Sequence, residues 1–232
     1  MEFQKWGARA APVLSLVYIA GMALAFTVLD TTGIVDPLER TRFHVEHRFA
    51  MTSFIQVLYV AFGCLVPAVA LALHKRLAPG AEDLMKLSTA FALVWSALLI
   101  GSGLVYRTGL AAVAKLLPDD PSGAVQLFRA VEVVHEGLGC TIEIPGGLWI
   151  LFTGLAIRRS GIFPRGCGTM SVVVGTAGLA TALPLLFVPA AGLFALRHFL
   201  DHVVPLSPEW VIRGYILIGL SVAVGLLYGH LY

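Results

Sequence analysis

Long apolar stretches alternate with shorter segments that collect the charged residues, and this pattern predicts transmembrane helices. A helix needs about 20 apolar residues to cross the hydrocarbon core of a bilayer. Runs of that kind predict six spans, at residues 12–29, 51–73, 87–106, 133–157, 168–188 and 209–231. The predicted fold is therefore an all-α integral membrane protein, a six-span transmembrane helical bundle that forms a single domain over residues 1–232.

Two kinds of connection join the predicted spans. Residues 74–86 and 158–168 are short, and their Pro and Gly residues predict breaks between helices. Residues 30–50, 107–130 and 189–208 are longer and amphipathic. These longer segments predict short helices that lie in the membrane interface.

Composition supports a membrane protein and argues against several other classes of protein. The chain is 58% hydrophobic and 13% charged, whereas soluble domains carry about 25% charged residues. The formal net charge is +2 and no dense run of Lys and Arg occurs, so nucleic acid is not an expected partner. Cys64, Cys140 and Cys167 are widely spaced and form no CxxC motif. A disulfide framework or a thiolate zinc site is therefore not expected.

The lipid bilayer is the first expected partner of the chain. Small residues indicate how its helices pack. Ser221, Gly225 and Gly229 recur every four residues on the last predicted span. Such spacing lets helix backbones approach closely. Packing within the bundle is the favoured interpretation, with a homo-oligomer or a larger membrane complex as the alternative.

One segment resembles a known family. Residues 146–168 contain Gly147-Leu148-Trp149, followed by a basic turn that runs from Ser160-Gly161 through Pro164-Arg165 to Gly168. This arrangement is similar to that of bacterial multi-span membrane proteins of the family called domain of unknown function 4386. An upstream histidine, here His135, also sits where such proteins often have one. The resemblance implies the multi-span architecture and implies no activity.

Three carboxylates stand at the start of the fourth predicted span. At about 100° per residue, Glu132, Glu136 and Glu143 fall within about 40° of one another, flanked by Arg129 and His135. An unpaired carboxylate at membrane depth is costly, so this acidic stripe should face the bundle interior or a wet cavity. Glu143, the deepest acid, together with Glu136 and His135, is the predicted catalytic set. Packing is the alternative for Glu143, and a solvated surface position is the favoured interpretation for Glu132 and Glu136.

A short stretch just below the stripe predicts a distortion of the same span. Pro145, Gly146 and Gly147 follow one another directly. Pro and Gly together are a common cause of helix kinks. We therefore expect the fourth span to loosen or bend at this point.

Five of the seven histidines fall at one predicted membrane face. His198 and His202 are spaced i, i+4, which places two imidazoles on one side of a helix. With His135, His47 and His44 they form the predicted metal-ligand set. Imidazoles with nearby carboxylates suit Zn²⁺ or another first-row metal. Haem is the alternative cofactor, since two facing imidazoles can hold its iron. It would be bound non-covalently, because no CxxCH attachment motif is present.

These residues support three functional hypotheses. The leading one is a membrane-embedded enzyme or redox protein with a His/Glu site, holding a metal or haem, in the outer half of the bilayer. Its substrate would be lipid-like or apolar. The alternatives are a proton-coupled transporter of small solutes that uses the Glu/Arg stripe, and a non-catalytic membrane partner subunit.

Charge distribution predicts the orientation in the cytoplasmic (inner) membrane. Arg158, Arg159 and Arg165 form a compact basic loop without acids, and such loops tend to stay cytoplasmic. Both termini are then cytoplasmic.

In a chain whose three cysteines are replaced by serine, we expect Arg159→Cys to escape an impermeant thiol reagent in intact cells, while Asp119→Cys reacts. Labelling of the first and protection of the second would reverse the orientation.

Overall fold

The computed structural model describes residues 2–27, 31, 33–140 and 144–180, and every regular element within these ranges is helical. The helices are α1 Glu2–Thr27, α2 Pro37–Glu46, α3 Arg48–Ile55, α4 Phe62–Leu116, α5 Pro121–His135, α6 Ile144–Ser160 and α7 Arg165–Ala180. Two π-helical turns, Gln56–Ala61 and Glu136–Cys140, follow α3 and α5. The all-α part of the predicted fold is thereby confirmed for these residues.

Two helical runs among the described residues are long and apolar enough to cross a membrane. They are Arg48–Leu116 and Pro121–Ser160, and a shorter apolar helix covers Arg9–Gly21. The predicted count of six spans is not established by these helices. The span predicted at 209–231 and the end of that at 168–188 lie outside the described residues.

The chain divides into two compact units. Among the described residues, one unit contains those within 16–67 and 93–140, and the other contains those within 2–15, 68–92 and 144–180. The first unit has a core of aromatic and aliphatic side chains from α3, α4 and α5. Its buried members are Met51, Ile55, Tyr106, Leu110, Val113, Ala124, Phe128 and Val131.

The predicted break between the second and third spans is a single residue. Ala81 has non-helical backbone angles (φ −158°, ψ 52°), directly after Pro79 and Gly80, while the residues on either side are helical. Polar pairs then join the two halves of the run in antiparallel order. Gln56 donates to the carbonyl of Gly103, and Ser96 donates to that of Gly63. Pro and Gly therefore reverse the chain with little loss of helix.

Two helices begin at an Asp-Pro pair. The Asp36 carboxylate accepts hydrogen bonds from the backbone N–H groups of Leu38 and Glu39. The Asp120 carboxylate accepts one from Gly123 at 2.9 Å. Side-chain caps of this kind satisfy N–H groups that the first helical turn leaves unpaired, and Pro is favoured at the first helical position.

The cap at Asp120 places a helix ahead of the fourth predicted span. Helix α5 starts at Pro121, before the predicted span start at residue 133, and α4 continues to Leu116, so most of the segment 107–130 is helical. Where the membrane begins along these helices stays a prediction. Among the described residues near the predicted bend, Gly139 has non-helical backbone angles and Pro145 lies in the first turn of α6. Residues 141–143, directly before α6, lie outside the described residues.

Helices α6 and α7 pack through glycines in the second unit. A Cβ atom added at Gly154 would lie 2.7 Å from the Val172 nitrogen and 2.8 Å from the Gly168 oxygen. Between the two helices, Gly161 adopts a positive φ of 66° and its N–H donates to the Ile157 carbonyl, so it ends α6 in a left-handed cap. The segment that carries the family resemblance thus builds a close helical hairpin.

This hairpin predicts a stability effect at Gly154. Gly154→Ala places a methyl group against backbone atoms that cannot move aside, so we expect about 1–3 kcal/mol of destabilisation. Gly166→Ala is the matched control, because nothing lies within 4 Å of an added Cβ there. Thermal unfolding in detergent measures both. Equal unfolding temperatures for the two variants would contradict the close contact.

Candidate functional site

The first part of the candidate site is a hydrogen bond between two buried aromatic side chains. His44 on α2 is 7% exposed, and its Nδ1 lies 2.7 Å from the Tyr106 hydroxyl oxygen on α4. The His44 ring also packs against Phe128 on α5, at 4.8 Å between centroids. One imidazole therefore contacts two other helices of the same unit.

The second part is His135, the last residue of α5. Ser102 on α4, which is fully buried, places its Oγ 2.6 Å from His135 Nδ1 and 2.7 Å from the His135 carbonyl oxygen. The imidazole lies between two tyrosine rings, with centroids 4.8 Å from Tyr59 and 5.0 Å from Tyr106. Tyr106 therefore contacts both buried histidines. We call His44, His135, Tyr59, Tyr106 and Ser102 the His–Tyr cluster.

An ion pair stands beside the cluster. Arg40 Nη2 of α2 lies 2.6 Å from Glu132 Oε1 of α5, and the side chains are 42% and 18% exposed. Arg40 is one helical turn before His44, and Glu132 is close to one turn before His135. The pair thus joins the same two helices and leads from a partly exposed edge toward the buried imidazoles.

Both π-helical turns border the cluster. Tyr59 lies within the first, and the second begins at Glu136, directly after His135. A π turn shifts the hydrogen-bond register of a helix, and such turns occur frequently at functional sites. The 100° periodicity used for the acidic stripe therefore does not hold across Glu136–Cys140, and Glu143 lies outside the described residues.

The charge state of His44 follows from its surroundings. Burial lowers the pKa of His44 to about 4, and the positive charges of Arg40 and His47 act in the same direction. The ring is therefore neutral near pH 7. Its Nε2 is buried and has no hydrogen-bond partner among the residues that the structure describes. A neutral imidazole held at Nδ1 can accept a proton or bind a metal through its other nitrogen.

The structure brings together only part of the predicted site. His44 and His135 meet at Tyr106, whereas His47 is exposed and donates from Nδ1 to the Phe43 carbonyl. Glu136 is exposed, and Glu132 is partly buried against Arg40 rather than solvated. Glu143, His198 and His202 lie outside the described residues. No group of three or more His, Cys, Asp or Glu that could hold a metal occurs among the residues described.

Three residues of the cluster are not predicted from the sequence. Tyr106, Ser102 and Tyr59 are uncharged residues within apolar helices, where small polar and aromatic residues are usual packing elements. A signal did exist for Arg40, because it precedes His44 by four residues on one helix face. An arginine and a histidine on the face of a short helix that begins at an Asp-Pro cap indicate a polar contact with a neighbouring helix.

The described residues first indicate the class of protein to which the chain belongs. The described chain is all-helical, has two helical runs long and apolar enough to cross a membrane, and encloses a cluster of histidine and tyrosine side chains. The family model named Domain of unknown function (DUF4386) matches residues 11–219, which is most of the chain. The protein belongs to this family. No curated protein and no solved structure matches it.

The neutral His44 predicts a pH dependence of stability. Its folded pKa of about 4 lies below the ordinary value of 6.5, so the unfolded state binds the proton more readily. The stability that neutral His44 contributes to the folded state is complete above pH 6.5. Roughly 3 kcal/mol of the free energy of unfolding is lost as the pH falls toward 4. We expect His44→Gln to remove this part of the acid destabilisation, measured by denaturant unfolding in micelles. His47→Gln, at an exposed position, should keep most of it, because burial is the largest cause of the lowered pKa of His44. Identical pH slopes for His44→Gln and the wild type would contradict the assignment.

Proposed function

We propose that this protein is a membrane-embedded enzyme or redox protein whose reaction takes place at the His–Tyr cluster. The observation that carries the proposal is that two buried imidazoles, each hydrogen-bonded at Nδ1, contact the same tyrosine ring. Buried polar groups are costly unless they are paired, and ionisable residues within membrane helices are functional by default. Packing alone would be satisfied by apolar side chains in these positions.

Each residue has a chemical role in this proposal. The imidazoles accept a proton or bind a metal through Nε2, and the Tyr106 hydroxyl donates or accepts a proton. The roles of Glu143 as an acid, base or ligand, and of His198 and His202 as further ligands, stay predictions, because these residues lie outside the described part of the chain. The metal is Zn²⁺ or another first-row ion, with non-covalent haem as the alternative.

The setting of the cluster supports a lipid-like or apolar substrate. Phe128, Val131 and Met51 belong to the same buried core as Tyr106, so the polar atoms lie within an apolar environment. Helices of the length and apolarity of Arg48–Leu116 suit a bilayer. The proposed location is the cytoplasmic membrane, with both termini in the cytoplasm and the cluster in the outer half of the bilayer.

Proton-coupled transport of a small solute is the second candidate. The Arg40–Glu132 pair favours it, because it joins two helices at a partly exposed edge beside the buried imidazoles. A path of titratable groups from a surface into a helical bundle is what proton coupling requires. Movement of α2 relative to α5 would break this pair and change the protonation of Glu132.

The test compares wild type with His135→Gln in vesicles of bacterial total lipid. We expect a bound first-row metal or haem, found by elemental analysis and absorption spectra, or conversion of an apolar lipid, found by mass spectrometry. His135→Gln should lower these signals about 10-fold or more, because it removes the imidazole. His74→Gln is the control, since His74 is also hydrogen-bonded, to Thr89 on the other side of the break in α4, but lies outside the cluster.

Two outcomes would contradict the proposal. Wild-type protein with neither cofactor nor lipid conversion, but with proton-driven solute flux in the same vesicles, would establish the transporter. The absence of all three signals would favour a non-catalytic partner subunit.

A further inference from the structure

The contacts between Ser102 and His135 determine which nitrogen of the imidazole carries the proton. Three short distances join the two residues. Ser102 Oγ lies 2.7 Å from the His135 carbonyl oxygen and 2.6 Å from His135 Nδ1, and Nδ1 lies 3.2 Å from the Ser102 carbonyl oxygen. All four groups are buried in the interior of one unit.

A count of donors leaves one arrangement. A serine hydroxyl has one hydrogen to donate and two lone pairs, whereas a carbonyl oxygen only accepts. The hydroxyl hydrogen of Ser102 is therefore used on the His135 carbonyl. Nδ1 then faces two acceptors, the Ser102 Oγ and the Ser102 carbonyl, so Nδ1 carries the hydrogen. In the neutral ring the lone pair resides on Nε2.

The opposite tautomer is unfavourable for a specific reason. If the hydroxyl donated to Nδ1, the Nδ1 lone pair would face the Ser102 carbonyl oxygen at 3.2 Å. The His135 carbonyl would also face the serine oxygen at 2.7 Å without a hydrogen between them. Two buried acceptor–acceptor contacts would replace hydrogen bonds, and buried unpaired acceptors are costly.

The contacts to Ser102 lie at a junction in the helix. His135 is the last α-helical residue of α5, and the π turn begins at Glu136. A carbonyl oxygen has two lone pairs, so it can accept from a side chain as well as from a backbone N–H. Ser102 thereby contacts both the backbone and the ring of the same histidine.

We infer that Ser102 is a positioning residue that holds His135 in its Nδ1–H tautomer and so makes Nε2 the nitrogen that accepts a proton or binds a metal. The inference rests on the proposed function for the role of Nε2, and on geometry alone for the tautomer. Partners that fix the tautomer and orientation of a ligand histidine typically change metal affinity or activity by about 10- to 100-fold.

Nitrogen-15 spectra of the histidine-labelled full-length protein in lipid vesicles test the tautomer. His135→Gln identifies the His135 signals. In the wild type we expect a protonated Nδ1 and an unprotonated Nε2. Ser102→Ala should shift the signals toward the opposite tautomer or an average, and Ser102→Thr, which keeps the hydroxyl, should restore them. A wild-type spectrum with protonated Nε2 overturns the inference without reference to any variant.

Ser96→Ala is the matched control. Ser96 is a buried serine on the same helix that donates to the Gly63 carbonyl and has the same hydroxyl to lose. It should leave the His135 spectrum unchanged. An unchanged spectrum in Ser102→Ala overturns the positioning role and leaves the proposed function to its own test.

The same variants separate the tautomer from the reaction. Ser102→Ala should lower bound metal or haem, or lipid conversion, by about 10- to 100-fold relative to Ser96→Ala. A shifted tautomer with full cofactor content and conversion would confirm the geometry and overturn the link between Nε2 and the reaction.

Discussion

The Tyr106 side chain makes the contacts on which the arrangement of α2, α4 and α5 depends. Its hydroxyl pairs with His44 of α2, and its ring packs against His135 of α5. A buried imidazole without a partner would lose more free energy than a typical hydrogen bond contributes, so each histidine requires a fixed neighbour. Because Tyr106 pairs with His44 and Ser102 pairs with His135, a displacement of α2 or α5 relative to α4 would leave a polar atom unpaired. This requirement restricts the helices more narrowly than apolar packing does.

The ion pair extends the same restriction toward the surface. Arg40 and Glu132 lie on the helices that also carry His44 and His135, and they join those helices at 2.6 Å. A partly exposed pair adds little stability by itself, but it specifies the register between α2 and α5. Helices α2, α4 and α5 are thus joined by three polar contacts, Arg40–Glu132, His44–Tyr106 and Ser102–His135.

The helical class could be predicted from sequence because apolar runs and helix breakers are local signals. Pro79 and Gly80 indicated the turn that the structure places at Ala81. The Asp120-Pro121 pair is a further local signal, because it caps the start of α5. The cluster was predicted only in part. His44 and His135 attract attention by residue type, whereas Tyr106 and Ser102 acquire their meaning from contacts with residues 62 and 33 positions away. The π turn after His135 has no clear sequence signal, and a constant 100° per residue does not hold across it, from Glu136 to Cys140.

Residues 146–168 and the His–Tyr cluster have different roles in the structure. Residues 146–168 form α6 and the turn into α7, where Gly154 and Gly168 bring two backbones together and Gly161 ends a helix. Such positions tolerate few substitutions for steric reasons, which makes them recognisable and chemically uninformative. The His–Tyr cluster instead lies in the other unit, on α2, α4, α5 and the first π turn. The resemblance read from residues 146–168 is therefore evidence about helix packing, whereas the family model, over residues 11–219, also includes the residues of the cluster. The proposed reaction is assigned to the place where imidazoles, a tyrosine hydroxyl and a serine hydroxyl meet, because those groups can exchange protons without placing a net charge in an apolar interior.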